Sequence, residues 1–237
     1  MVNAWFVGPL AAASVLALTS LLPAPARAQA TAAAYPGMAP AEQYLMTPSD
    51  EIAMARTAAP PAITDSAEIL TLGAHGYERA VAGRNGFVCL VERSWDNDFD
   101  HPEFWNPRVR GPDCFNAAAA RSVLPVYLQR AEWVLAGVSK ARMVERTKAA
   151  LAAGRIRAPA AGAMAYMLSK DGYLGDAAGG PWHPHLMFFV PTSAPGAWGA
   201  NVHGSPVITQ PGGLLPISTF FVVVPRWSDG TADSPAH

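Results

Sequence analysis

His183 and His185 flank a single proline in the run "GGPWHPHLMFFV". In an extended chain, side chains two residues apart share a face, so both imidazoles address one point. Neutral imidazole is a ligand for zinc, copper, nickel or iron, and His-x-His on a strand is a spacing those metals accept. Pro184 has no N–H to give to a neighbouring strand, which places the pair at a strand entrance or edge. A metal site needs a third ligand. His75, in the turn "LGAHGYE", is assigned that place, so His183, His185 and His75 form the expected set for one transition-metal ion (Zn, Cu, Ni or Fe). Trp182 beside the pair and Asp176 in the preceding Gly-rich loop complete the expected ligand-binding mouth. Asp176 is expected to orient one imidazole as a hydrogen-bond acceptor. The bland alternative is that the two histidines only cap a strand and bond the loop backbone.

Other chemistries fit the chain less well. A cupin motif needs Gly where Ala177 stands and an acid soon after the histidines, where "LMFFVP" follows. HExxH, P-loop and GxSxG motifs are absent, and no serine sits on a strand-turn-helix elbow. Gly172, Gly175, Gly179 and Gly180 lack the Lys-Ser/Thr of a phosphate cradle and read as a flexible loop beside the histidines. In "WDNDFDHPEFW", Asp96, Asp98 and Asp100 alternate as in a calcium loop. However, His101 and Pro107 occupy the positions where an EF-hand needs Gly and Glu. That run reads as a solvated acidic loop whose Trp95, Phe99, Phe104 and Trp105 fold back over the core.

The first 28 residues read as an export signal. The apolar run "VGPLAAASVLALTSLL" is followed by Pro23, Pro25 and the small-x-small site Ala26-Arg27-Ala28. It falls short of the roughly 20 residues a spanning helix needs. Cleavage near Ala28 predicts a periplasmic or secreted chain, with no membrane span in the mature part. Cys89 and Cys114 are the only two cysteines, and an oxidising compartment favours their pairing. With 17 Lys and Arg against 18 Asp and Glu, charge gives no reason to expect a nucleic-acid partner.

The elements that must position these residues follow from local signals. Residues 29–46 read as a flexible mature N-terminus, 47–226 as a single domain and 227–237 as a polar tail. Thr47, Pro48 and Asp50 open a helix that Pro60-Pro61 closes. Strands are expected at "AEILTL", "YERAVAG" and "FVCLVERS". Asn85-Gly86 serves as the hairpin turn between the last two, pairing Arg79 with Glu92 and Glu78 with Arg93. Asn116 caps a helix that Pro125 divides and Gly137 ends, and Ser139 caps another that Gly154 ends. Strands at 163–169, 185–190 and 218–224 follow, the last apolar on both faces and therefore central. Segregated strands and helices predict an α+β fold. Its mainly antiparallel sheet has about six strands, three before and three after a helical pair, packed on helices.

The function expected from these residues is an exported binding or accessory protein holding a small molecule or a transition metal at the His-x-His mouth. The alternatives are a metal-dependent hydrolase at the same site, with Asp176 as base, and a structural or surface-interaction protein with no small-molecule site.

Overall fold

The structure, a computed structural model, describes residues 35–176, 182–209 and 213–233. The leader read at 1–28, Ala177, Gly179, Gly180 and His237 lie outside the described residues. Among the described residues, five α-helices and eight strands follow in chain order. They are α1 (Pro48–Arg56), α2 (Pro61–Thr64), β1 (Glu68–Gly73), β2 (Gly76–Val81), β3 (Val88–Glu92), β4 (Gly111–Phe115), α3 (Ala117–Ser122), α4 (Leu124–Leu135), α5 (Lys140–Ala152), β5 (Met164–Met167), β6 (His185–Pro191), β7 (Val207–Thr209) and β8 (Ile217–Val223). The strands form one sheet in the order β2-β1-β3-β4-β5-β6-β8-β7. The fold is α+β, but with eight strands where six were expected. β4 and β7 are the additions, and the sheet is mixed because β1 and β3 run parallel.

The helix ends obey the local code. Thr47 Oγ1 accepts from the Asp50 N–H at 3.3 Å, Asn116 Oδ1 from Ala119 at 2.9 Å and Ser139 Oγ from Arg142 at 3.3 Å. These contacts satisfy N–H groups that have no partner inside the helix. α3 and α4 part at Val123, with Pro125 in the first turn of α4, and Gly137 and Gly154 close α4 and α5 at positive φ.

The Asn85-Gly86 hairpin does not form. β2 pairs with β1, Leu70 opposite Arg79, and takes the sheet edge. The chain then crosses back over the start of β1, where Glu68 N–H donates to Phe87 O at 2.8 Å and Arg84 N–H to Ser66 O at 2.9 Å. Gly83 permits this crossing: a Cβ there would lie 2.2 Å from Glu68 N. Asn85 still turns the chain, but its amide bonds Ile63 O and its Oδ1 takes the Phe87 N–H. Arg79 consequently faces Glu68 at 3.9 Å, not Glu92, and Arg93 pairs with Glu51 at 2.8 Å, not with Glu78.

Alternation along the strands sorts the core onto two faces. Ile69, Cys89, Val91 and Cys114 pack with Ala55, Ala58 and Ala59 on the α1 side. Leu90, Phe115, Ala165, Met187 and Phe189 pack with Val123 and Leu124 on the other. A third cluster joins Tyr44, Trp95, Phe104 and Trp105 to Ala131, Val134 and Met143, so the aromatics of the acidic run do belong to the core. Cys89 and Cys114 lie directly opposite on β3 and β4 and are joined by a disulfide.

β8 is internal but next to last, and only alternate residues of its first half are buried. The segments read as loose at both ends are packed where they are described. Tyr44 is fully buried and donates to Trp105 O at 2.8 Å, while Ser228 N–H donates to Leu168 O at 2.9 Å and Asp233 N–H to Pro225 O at 3.0 Å. Among the described residues, no helix is long and apolar enough to cross a membrane.

Candidate functional site

A cavity of about 570 Å³ lies over the α3–α4 side of the sheet. Met167, Met187, Ile217 and Phe221 from β5, β6 and β8 form an apolar floor, and Tyr127 and Arg130 of α4 form one wall. His183 and His185 line it, as do Glu92 and Asp96. Strand register explains this convergence. His185 stands opposite Met167 on β5 and Val223 on β8. Continuing the β4–β5 pairing of Cys114 with Tyr166 brings Asp113 beside Met167. Asp113 and His185 therefore share a row two strands apart, about 10 Å at the usual interstrand spacing.

The two histidines have different surroundings. His183 Nδ1 meets Asp233 Oδ2 at 2.6 Å. His185 Nδ1 meets the His183 carbonyl at 2.8 Å, an acceptor, so Nδ1 carries the proton. In the neutral ring Nε2 is then an acceptor, and it is buried with no hydrogen-bond partner. Trp182 and Phe221 stand edge-on to the His185 ring, each 5.4 Å between centroids. Burial pushes the imidazole below its ordinary range, only partly opposed by the bond to His183 O, and keeps it neutral near pH 7.

The expected metal set does not assemble. His75 is exposed in the β1–β2 turn, and four strand steps separate β1 from β6, roughly 19 Å. Asp176 does not orient an imidazole: its carboxylate bonds Tyr35 Oη at 2.5 Å, Tyr173 Oη and the Arg108 guanidinium. Those partners hold it below the usual carboxylate range, Tyr173 and Tyr35 foremost. Asp233 takes the place beside His183 instead. No group of three His, Cys, Asp or Glu among the described residues could hold a metal ion.

At the other end of the cavity lies a cluster that the sequence reading missed: Glu92 at the end of β3, Asp96 in the turn Ser94–Asp96, and Asp113 on β4. Glu92 stands opposite Gly111, which has no side chain, and Asp113 opposite Leu90, so the two acids are diagonal neighbours on one face. Asp113 is fully buried. Burial raises all three carboxyls. For Glu92, well above its ordinary range, the Asp113 and Asp96 charges add to burial. Asp96 reaches about 7 although the Arg93 N–H and Arg130 pull it down. Asp113 is raised by its burial to about 8.

As carboxylates, Glu92 Oε1, Asp96 Oδ1 and both Asp113 oxygens have no donor. A proton between Glu92 and Asp113 supplies one. Arg130 is the nearby cation, and its guanidinium is pinned to Trp95 O at 2.8 Å and Asn97 O at 2.6 Å. Arg93 is engaged with Glu51, Tyr44 O and Val91 O.

The rim comes from the acidic run and the Gly-rich loop. Asp98, His101 and Glu103 line it, facing Leu174 and Gly175. Gly175 has φ 146°, and a Cβ there would lie 2.3 Å from Glu103 Oε2, so only glycine allows this approach. The missed acids did leave a trace in the sequence. "GPDCF" sets Asp113 between Pro112 and a disulfide cysteine, where an acid has little reason to stand unless it serves a site. Comparison with known proteins finds no matching family model, no matching curated protein and no matching solved structure.

Proposed function

We propose that the chain is an exported small-molecule-binding protein whose site is the cavity between His183/His185 and Glu92/Asp96. The observation that carries this reading is one cleft with an apolar floor and a few ionisable groups at its ends. Binding sites for organic ligands have that composition and fall in that size range. Perturbed carboxyls and a buried neutral imidazole in a cleft mark a functional site more often than a structural one. The acids and the imidazole fix the orientation of a bound molecule, while Met167 and Met187 adapt to its body. Export is supported by the leader-like first 28 residues and accords with the Cys89–Cys114 bridge. A transition metal fits less well, because His183 is engaged with Asp233 and no third ligand stands near among the described residues.

The test is to fill the space. Thr219 lines the cavity from β8 and is not fully buried, so Thr219→Trp projects an indole into it without remaking the core. Calorimetric titration with eight-carbon alcohols and amines is expected to show binding to the wild-type chain and none to a Thr219→Trp variant of unchanged circular dichroism. Equal binding to both chains places the ligand elsewhere and overturns the reading.

A further inference from the structure

The two ends of the cavity are rich in acceptors. Glu92 Oε1, Asp96 Oδ1, both Asp113 oxygens and His185 Nε2 are all buried without a donor. Of the guanidiniums on the same lining, Arg93 is committed to Glu51 and to main-chain carbonyls, and Arg130 gives its Nη1 to Trp95 O and Asn97 O. A ligand that satisfies such a surface has to bring donors. An anion would bring further acceptors to a surface already rich in them, and a neutral apolar molecule would leave the acceptors as they are, at a cost of about 1–3 kcal/mol for each one kept from water. A divalent ion has no suitable group of ligands among the described residues. A primary ammonium brings three N–H donors and one positive charge on a compact head. Its hydrocarbon matches the floor of Met167, Met187, Ile217 and Phe221.

We propose that the cavity binds a primary amine in its ammonium form, the head between Glu92 and Asp96 with Asp113 behind them, and an alkyl or aryl body along the β5–β6–β8 floor. The proposal rests on the small-molecule reading of the cavity and names the ligand class for it. In the empty site Glu92 and Asp113 share a proton. When the ammonium arrives with its own three protons, the shared one leaves to solvent and the pair goes from one negative charge to two, so binding releases a proton. The groups around that pair are Tyr77 of β2, Arg93 and Asp96 after β3, and Tyr127 and Arg130 of α4. Of these Asp96 is the one that also titrates near pH 7.

Four probes of equal length separate the possibilities: n-octylamine, n-octyltrimethylammonium, n-octanol and n-octanoate. Titration at pH 7 in two buffers of different ionisation enthalpy reads affinity and proton release together. The amine is expected to bind at least tenfold more tightly than the other three and to release protons. Glu92→Gln replaces an acceptor oxygen with an amide donor and is expected to weaken the amine at least tenfold while leaving octanol unchanged. Asp96→Asn, in a turn rather than a strand, does the same if Glu92→Gln fails to fold. Octanol or octanoate binding as tightly as the amine overturns the amine assignment and leaves the cavity a binding site. Equal binding of amine and trimethylammonium shows that charge alone is read and overturns the N–H argument. No binding by any probe removes both the assignment and the reading beneath it.

Discussion

Glu92 and Asp113 are diagonal neighbours on adjacent antiparallel strands, and a proton held between their carboxyls is the donor that their buried oxygens otherwise lack. The disulfide sits at Cys114, next in sequence to Asp113, and pins β4 to β3 from the opposite face. The acid pair is thereby held in register by a covalent bond it does not touch.

The shared proton makes stability depend on pH. Unfolded carboxyls titrate near 4, whereas the native chain holds Asp96 at about 7 and Asp113 at about 8. Between those limits the native state binds more protons than the unfolded one, so stability falls as pH rises. This contribution is fully present below about pH 4 and gone once pH has passed about 8. Urea midpoints at pH 5, 6.5 and 8 are expected to decline more steeply for the wild type than for Asp113→Asn. Parallel profiles would mean that the pair is ionised in the native chain.

Arg93 and Glu51 form the buried ion pair that joins α1 to the end of β3, 2.8 Å apart and almost wholly out of water. Removing one partner leaves the other charged and buried, which typically costs about 3–5 kcal/mol. Glu51→Ala and Arg93→Ala are each expected to lower unfolding free energy by that order. Removing both should cost clearly less than the sum of the two. Additive losses in the double-mutant cycle would show that the charges do not interact.

The Cys89–Cys114 bridge closes a loop with a sequence separation of 25. Constraint of the unfolded chain by such a loop contributes roughly 3 kcal/mol. Chemical denaturation with and without reductant is expected to differ by about that amount. Cys89→Ala/Cys114→Ala should match the reduced wild type in either condition. A reductant effect that persists in the double variant would contradict the assignment.

Local chemistry made the helices readable, and distance hid the site. Thr47, Asn116, Ser139, Gly137 and Gly154 act within one turn of their own positions, so their roles follow from neighbours in sequence. Asn85-Gly86 also turns the chain, but whether it makes a hairpin is decided by Glu68 and Phe87, nineteen positions apart in sequence. The opposite-charge pairs of the imagined register were coincidental. Arg79 stays on the exposed edge, and Glu92 ends beside Asp113. β4 was hidden by its own composition, because Pro112 and Asp113 argue against a strand. Pairing with β3, the disulfide and a protonated carboxyl make it one. The histidines were found because their spacing is local. Their acidic counterparts come from the end of β3 with the turn that follows it and from β4, and meet the histidines only through strand order.

His185 offers the most direct test of the site's electrostatics. Its Nδ1–H donates to the carbonyl of His183, two residues back, which fixes the tautomer and leaves Nε2 as the acceptor. Trp182 and Phe221 shield the ring on two sides, and burial is the main reason its pKa lies below 6.5. Nitrogen chemical shifts followed through a pH titration should report a protonated Nδ1 and an unprotonated Nε2 at pH 7, with a midpoint below the ordinary histidine value. Trp182→Ala opens one side to water and is expected to move the midpoint upward, toward 6.5, without changing the tautomer, since the His183 carbonyl remains. An unmoved midpoint would assign the shift to something other than burial. Octylamine at saturation offers a second reading of the same signal. A cation at the far end of the cavity, about 10 Å away, disfavours a second positive charge on the ring, so the midpoint should fall further. A rise on amine binding would place the ammonium away from the acids and against the imidazole itself.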